Sequence, residues 1–126
     1  MRLTQARGTA TRQTRYSQLH RDREAAPKLR TMFPVVEQLR FELSFEGGGA
    51  ATPVPQSHVL HPPARAYFSF PCPYADCDGR FELTAAVLAA VEDPSHRIEG
   101  VLECAGLRGR EVCGLRLSYT IAATPG

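Results

Sequence analysis

The clearest alternation in the chain is Leu39, Phe41, Leu43 and Phe45 against Arg40, Glu42, Ser44 and Glu46, a period of two that predicts a half-buried strand. Gly47-Gly48-Gly49 ends it. A second alternation, Ala66, Phe68 and Phe70 within residues 66–71, predicts another strand with Cys72 on the same parity. Arg80 to Leu83 reads as a short extended piece with Phe81 and Leu83 inward. Thr84 is placed to cap a helix running to Val91 or Glu92, closed by Asp93-Pro94; its apolar run, Ala85 to Val91, predicts a well-covered helix. Two further strands follow: Ile98, Gly100, Leu102 and Cys104 share one face, as do Cys113, Leu115, Leu117, Tyr119 and Ile121. Gly106-Leu107-Arg108-Gly109 supplies the turn of a hairpin between them.

The remainder is less regular. Residues 1–16 are polar and arginine-spaced, and read as flexible; residues 17–26 suit a short helix capped by Ser17 and ended by Pro27. Residues 50–65 carry Pro53, Pro55, Pro62 and Pro63 and are expected to lack regular structure. The expected organisation is a basic extension over 1–32 and an α+β domain over 33–126, with a proline-rich loop at 47–65. That domain is a small antiparallel sheet with one inserted helix.

Cysteine chemistry sharpens this. Cys72 and Cys77, then Cys104 and Cys113, form two pairs spaced C-x4-C and C-x8-C. Strand parity points Cys72, Cys104 and Cys113 to the core side of their own strands. Met1 to Arg7 has no apolar stretch that would act as an export leader, so the thiols are expected to stay reduced in a cytoplasmic setting. Reduced, paired cysteines favour a structural Zn²⁺ with four thiolate ligands. A Cys104–Cys113 disulfide is the main rival, and an iron–sulfur cluster lacks its usual cysteine run. His58 and His61 could substitute for one ligand, although paired loop histidines are more often just exposed. Asp76 and Asp78 flank Cys77 and are placed to tune the site, to orient Arg80, or simply to serve the turn.

Residues 72–81, Cys-Pro-Tyr-Ala-Asp-Cys-Asp-Gly-Arg-Phe, resemble the opening knuckle of a two-cysteine, two-histidine zinc finger. The resemblance implies backbone amides aimed at the sulfurs and a phenylalanine packed beneath the metal. The family's first histidine would fall at Ala90, so Cys104 and Cys113 must complete the site. The general outline then resembles a zinc ribbon with a helix inserted between its halves.

Charge adds a candidate partner. The net charge of +2 conceals an arm, residues 1–30, with eight basic and two acidic residues on an otherwise acidic body. Such an arm suits nucleic acid, foremost structured or ribosomal RNA, with Arg12, Arg15, Arg21 and Arg23 on phosphates and Tyr16 stacking. The arm could equally be a solvated tail. The alternative partner is a protein, with the proline-rich loop as the contact element of a regulatory adaptor. Catalysis is not expected: no H-x-E, phosphate-cradling glycine loop or serine nucleophile turn occurs, and four thiolates leave the ion no open position.

Overall fold

The computed structural model describes residues 17–47 and 51–126. Two short helices lead in, α1 over residues 17–25 and the single turn α2 (Leu29–Met32). The strands are β1 (Val36–Glu46), β2 (Gln56–Leu60), β3 (Ser69–Pro71) and β4 (Arg80–Glu82). After α3 (Thr84–Glu92) come β5 (Arg97–Glu103), β6 (Leu107–Arg108), β7 (Glu111–Val112) and β8 (Arg116–Pro125). The architecture is α+β, with an antiparallel sheet ordered β2-β1-β8-β5 and two small ribbons, β3-β4 and β6-β7.

The alternation along β1 does what its period requires. Leu39, Phe41, Leu43 and Phe45 are buried, while Arg40, Glu42, Ser44 and Glu46 stand on the open face. Phe41 pairs with Ile121 of β8, which in turn pairs with Ile98 of β5, so three strands deliver apolar side chains to one side. On the same face Gly100 lies opposite Tyr119, and a Cβ at Gly100 would run into the tyrosine ring. Phe68 and Phe70 cover Phe41, with ring centroids 6.0 and 5.3 Å away. Full burial of each such side chain is worth roughly 1.5–3 kcal/mol.

The lead-in belongs to this core. Leu19 and Leu29 are buried, the Leu29 amide donates to the Ala64 carbonyl at 2.7 Å, and the Ala66 amide donates to Pro27 O. Ser17 is already within helical backbone, and the residues that would show its capping role lie outside those described.

Four local expectations need correction. The stretch 50–65 is not devoid of regular structure: Gln56–Leu60 forms β2, in register with Leu43–Leu39 of β1. Its prolines lie only at the flanks, and β2 is an outer strand, where proline is tolerated. The expected strand 66–71 is reduced to Ser69–Pro71, although Ala66 and Phe68 keep their buried positions. Thr84 is the first helical residue rather than the cap; Leu83 occupies that position, and the Glu82 carboxylate accepts from the Thr84 amide at 3.2 Å. Helix α3 is covered on one side only, burying Val87 and Ala90, and leaves Leu88 42% exposed. An alanine-rich helix can lie on a sheet by one stripe because its other face exposes little apolar area per residue.

The last hairpin is more elaborate than a single turn. Strands β5 and β8 pair as far as Glu103 and Arg116, and the chain between them folds into its own ribbon, Leu107↔Val112 and Arg108↔Glu111. Gly109, at φ +66°, takes the left-handed conformation at its tip.

Candidate metal centre

Two hairpins bring the cysteines together. Strands β3 and β4 pair through Pro71 and Arg80, so Cys72 and Cys77 sit in the loop just beyond the last pair. Strands β5 and β8 stop at Glu103 and Arg116, which places Cys104 and Cys113 at the open end of that ladder. The eight residues between them return on themselves as β6 and β7, and the Cys113 amide donates to Gly106 O at 2.8 Å. A C-x8-C spacing therefore closes as tightly as a shorter knuckle.

All four sulfurs lie within 4.8 Å of one another, and all four residues are buried. Cys77 and Cys104 approach to 3.6 Å, Cys72 and Cys113 to 3.9 Å. A tetrahedral ion with metal–sulfur bonds of about 2.3 Å places its ligands about 3.8 Å apart. The spacing fits such an ion and is far beyond a disulfide bond of about 2.05 Å. The Cys104–Cys113 disulfide is thus not formed: all four cysteines are free, and Cys104 and Cys113 each approach a sulfur of the other hairpin.

The sulfurs are embedded in backbone donors. Amides two residues ahead point back at them: Tyr74 toward Cys72, Gly79 toward Cys77 at 3.3 Å, and Gly106 toward Cys104. Burial nevertheless dominates, lifting Cys104 to about 11 and Cys72 higher still. Four sulfurs crowded together would be uncomfortable as bare thiolates, and a divalent cation would supply the missing charge.

A second layer ties the hairpins to each other. Asp78 accepts from the Leu107 amide at 2.7 Å and returns its own amide to Leu107 O at 3.3 Å. Asp76 accepts from Nε of Arg108 at 3.1 Å, and that guanidinium lies over the Tyr74 ring, 4.2 Å from its centroid. The tyrosine hydroxyl continues the chain of contacts to Ala51 O at 3.1 Å. The aspartates thus do not orient Arg80, which instead pairs with Asp22 of α1 at 3.7 Å. Beneath the site Phe81 packs on Phe45 of β1, ring centroids 6.3 Å apart, joining the knuckle to the main sheet.

Gly79 and Gly106 are the residues that spacing alone did not single out. A Cβ on Gly79 would lie 2.9 Å from the Gly106 Cα, and one on Gly106 would lie 2.9 Å from the Cys77 sulfur. The signal was present as a repeated Cys-x-Gly, Cys77-Asp78-Gly79 and Cys104-Ala105-Gly106. The histidines stand apart from the sulfurs. His58 bonds Gln56 Oε1 at 3.0 Å and packs on Phe70 at 4.8 Å, while His61 is exposed.

Of the arginines assigned to nucleic acid, Arg21 is exposed on α1 and donates to Gln18 Oε1 at 3.0 Å. Arg23 lies 5.8 Å from the centroid of the Tyr67 ring. Arg12, Arg15 and Tyr16 fall outside the described residues. Among those described, no helix is long and apolar enough to cross a membrane. The chain matches no protein-family model, no curated protein and no solved structure.

Proposed function

We propose that the protein is a non-catalytic binding module built around structural zinc, and that its arginine-rich arm contacts nucleic acid, with structured RNA such as ribosomal RNA the first choice. The observation that carries the metal half is the spacing and burial of the four sulfurs. Four protein ligands complete a tetrahedron, and a site so filled holds a fold together rather than activating water. Zinc is preferred over iron on the reduced, two-knuckle cysteine pattern. Metal quantification on freshly purified protein tests this: one zinc per chain is expected, and a chain purified without metal but fully folded would end the reading.

The nucleic-acid half rests on the concentration of arginine ahead of residue 31 and on the exposure of Arg21. Guanidinium forks on phosphates would give affinity that falls steeply with salt. Because Leu19 and Leu29 are core residues, the informative deletion is residues 1–16, with Arg21→Ala added separately. Both should weaken RNA binding at low salt; undiminished binding by the combined variant would remove this half.

One observation favours a protein partner as a second reading. Strand β2 is an outer strand of the sheet, and Val59 within it and Val54 just ahead of it are exposed, an arrangement open to pairing with an added strand. A pull-down that fails after Val59→Lys but survives loss of residues 1–16 would favour it.

A further inference from the structure

Between α1, β2 and β3 lies a cavity of about 570 Å³, a size in the range of small-ligand sites. Among the described residues its cationic groups are Arg23 and Arg65, and no carboxylate lines it. Arg65 is held in place by donating to Ala26 O at 3.1 Å, with Glu24 only at the outer limit of pairing, 4.0 Å. His58, Tyr67 and Ser69 add polar groups, and Phe70 an aromatic wall.

Two observations indicate that this cavity is made for an occupant. The Ser69 hydroxyl is the one buried side-chain polar atom without a hydrogen-bond partner among the described residues. Buried polar groups are normally satisfied, and Ser69 belongs to the cavity wall, so a χ1 rotation that turned its hydroxyl into the cavity would give it an acceptor there. In addition two guanidinia share one cavity with an imidazole, and burial followed by the field of Arg23 depresses the His58 pKa. An anion would relieve that crowding of positive charge.

We infer that this cavity binds the phosphate group of a small, planar phosphate ester of mononucleotide size, with Arg23 and Arg65 on the phosphate and the planar body against Phe70. Two guanidinia and two hydroxyls exceed what one carboxylate can accept from, and match the oxygens of a phosphate. The phosphate lies with the arginines and away from Cys72, whose thiolate would repel it. Among the described residues Arg23 is the one residue this site shares with the arm.

The test titrates the metal-loaded full chain with uridine 5′-monophosphate, inorganic phosphate and uridine, following imidazole and amide resonances. The nucleotide is expected to saturate and to move His58, Tyr67 and Ser69, with phosphate weaker at the same residues and uridine not saturating. Arg23→Met and Arg65→Met should each weaken the nucleotide by about tenfold or more, and Arg30→Met should not. Arg23→Met guards against loss of fold, because Arg65 also holds the Ala26 carbonyl. Absence of saturation at millimolar nucleotide, shifts confined to residues 1–16, or unchanged binding by both cavity variants would overturn the assignment. A chain lacking 1–16 should keep nucleotide binding even if it no longer binds RNA.

Discussion

Gly79 and Gly106 face each other across the two cysteine hairpins, each two residues after a cysteine and each too close to the other's backbone to carry a side chain. Backbone meeting backbone is what lets the Cys77 and Cys104 sulfurs approach to 3.6 Å. The Cys-x-Gly repeat is therefore part of the candidate metal centre as much as the thiols are.

Alanine at either glycine forces the knuckles apart. Gly106→Ala should lower stability by roughly 1–3 kcal/mol, the usual cost of overpacking, and should weaken metal retention. Gly109→Ala, with open space around its Cα but a positive φ, should lose stability without changing metal content. Thermal unfolding beside metal analysis separates the two, and equal metal loss in both would contradict the packing account.

Replacing Cys104 with serine should abolish stoichiometric metal binding. Chelation of the unaltered protein should act on the same region: amide protection is lost first in residues 66–83 and 104–115, and later in β1 and β8. The central strands bury Leu39, Phe41, Leu117 and Ile121 independently of the sulfurs. Hydrogen exchange before and after chelator measures the order, and simultaneous loss would show that the sheet has no stability of its own.

Proton linkage takes opposite signs with and without metal. In the metal-free fold Cys104 keeps its proton up to about 11, whereas an unfolded thiol loses it near about 8.5. The folded state binds the extra proton in that window, so metal-free stability is present below it and falls as pH rises through it. Metal binding must expel those protons, so affinity should strengthen as pH rises from acid towards neutrality. Denaturant unfolding of the metal-free protein between pH 8 and pH 11, about the window named above, and competition titrations at lower pH would check both slopes.

The Arg108 clamp predicts a kinetic effect. Its guanidinium joins the second hairpin to Asp76 and Tyr74 of the first, and Asp76 holds the arginine more firmly protonated than usual. Arg108→Ala should speed metal release to a chelator while leaving the stoichiometry intact. Arg108→Lys should restore little, because an ammonium lacks the planar face that covers Tyr74. Stopped-flow transfer of the metal to a chromophoric chelator reads this directly.

A core substitution sets the scale for these effects. Phe41→Ala empties a position between β8 and the rings of Phe68 and Phe70, and should cost about 3–5 kcal/mol. Urea denaturation of the metal-loaded protein measures it.

Much of this architecture could be read from periodicity. The parities of 98–104 and 113–121 placed Cys104 and Cys113 on the buried side, and both are buried. The register Ile98↔Ile121 bears out the paired strands. However, β8 begins only at Arg116, and Gly114, at φ +67°, breaks the expected run between it and Cys113. Phe81, Leu83 and α3 likewise followed from local pattern. Strand β2 was hidden because Pro55, Pro62 and Pro63 crowd around a piece only five residues long, whose stability comes from β1 rather than from its own pattern. The partner of Asp76 was invisible for a related reason: Arg108 is distant in sequence and arrives only when the β6-β7 ribbon folds over. Pairings made by loops leave no period behind them.

The sheet order has a consequence for how the molecule is made. Strand β8, which follows the other seven in chain order, occupies the middle of the sheet between β1 and β5. Every sulfur precedes it. On a translating chain a metal ion bound by these sulfurs would be captured while the centre of the sheet is still vacant, so that the closed loops would present β1 and β5 as a waiting slot for the ten-residue β8.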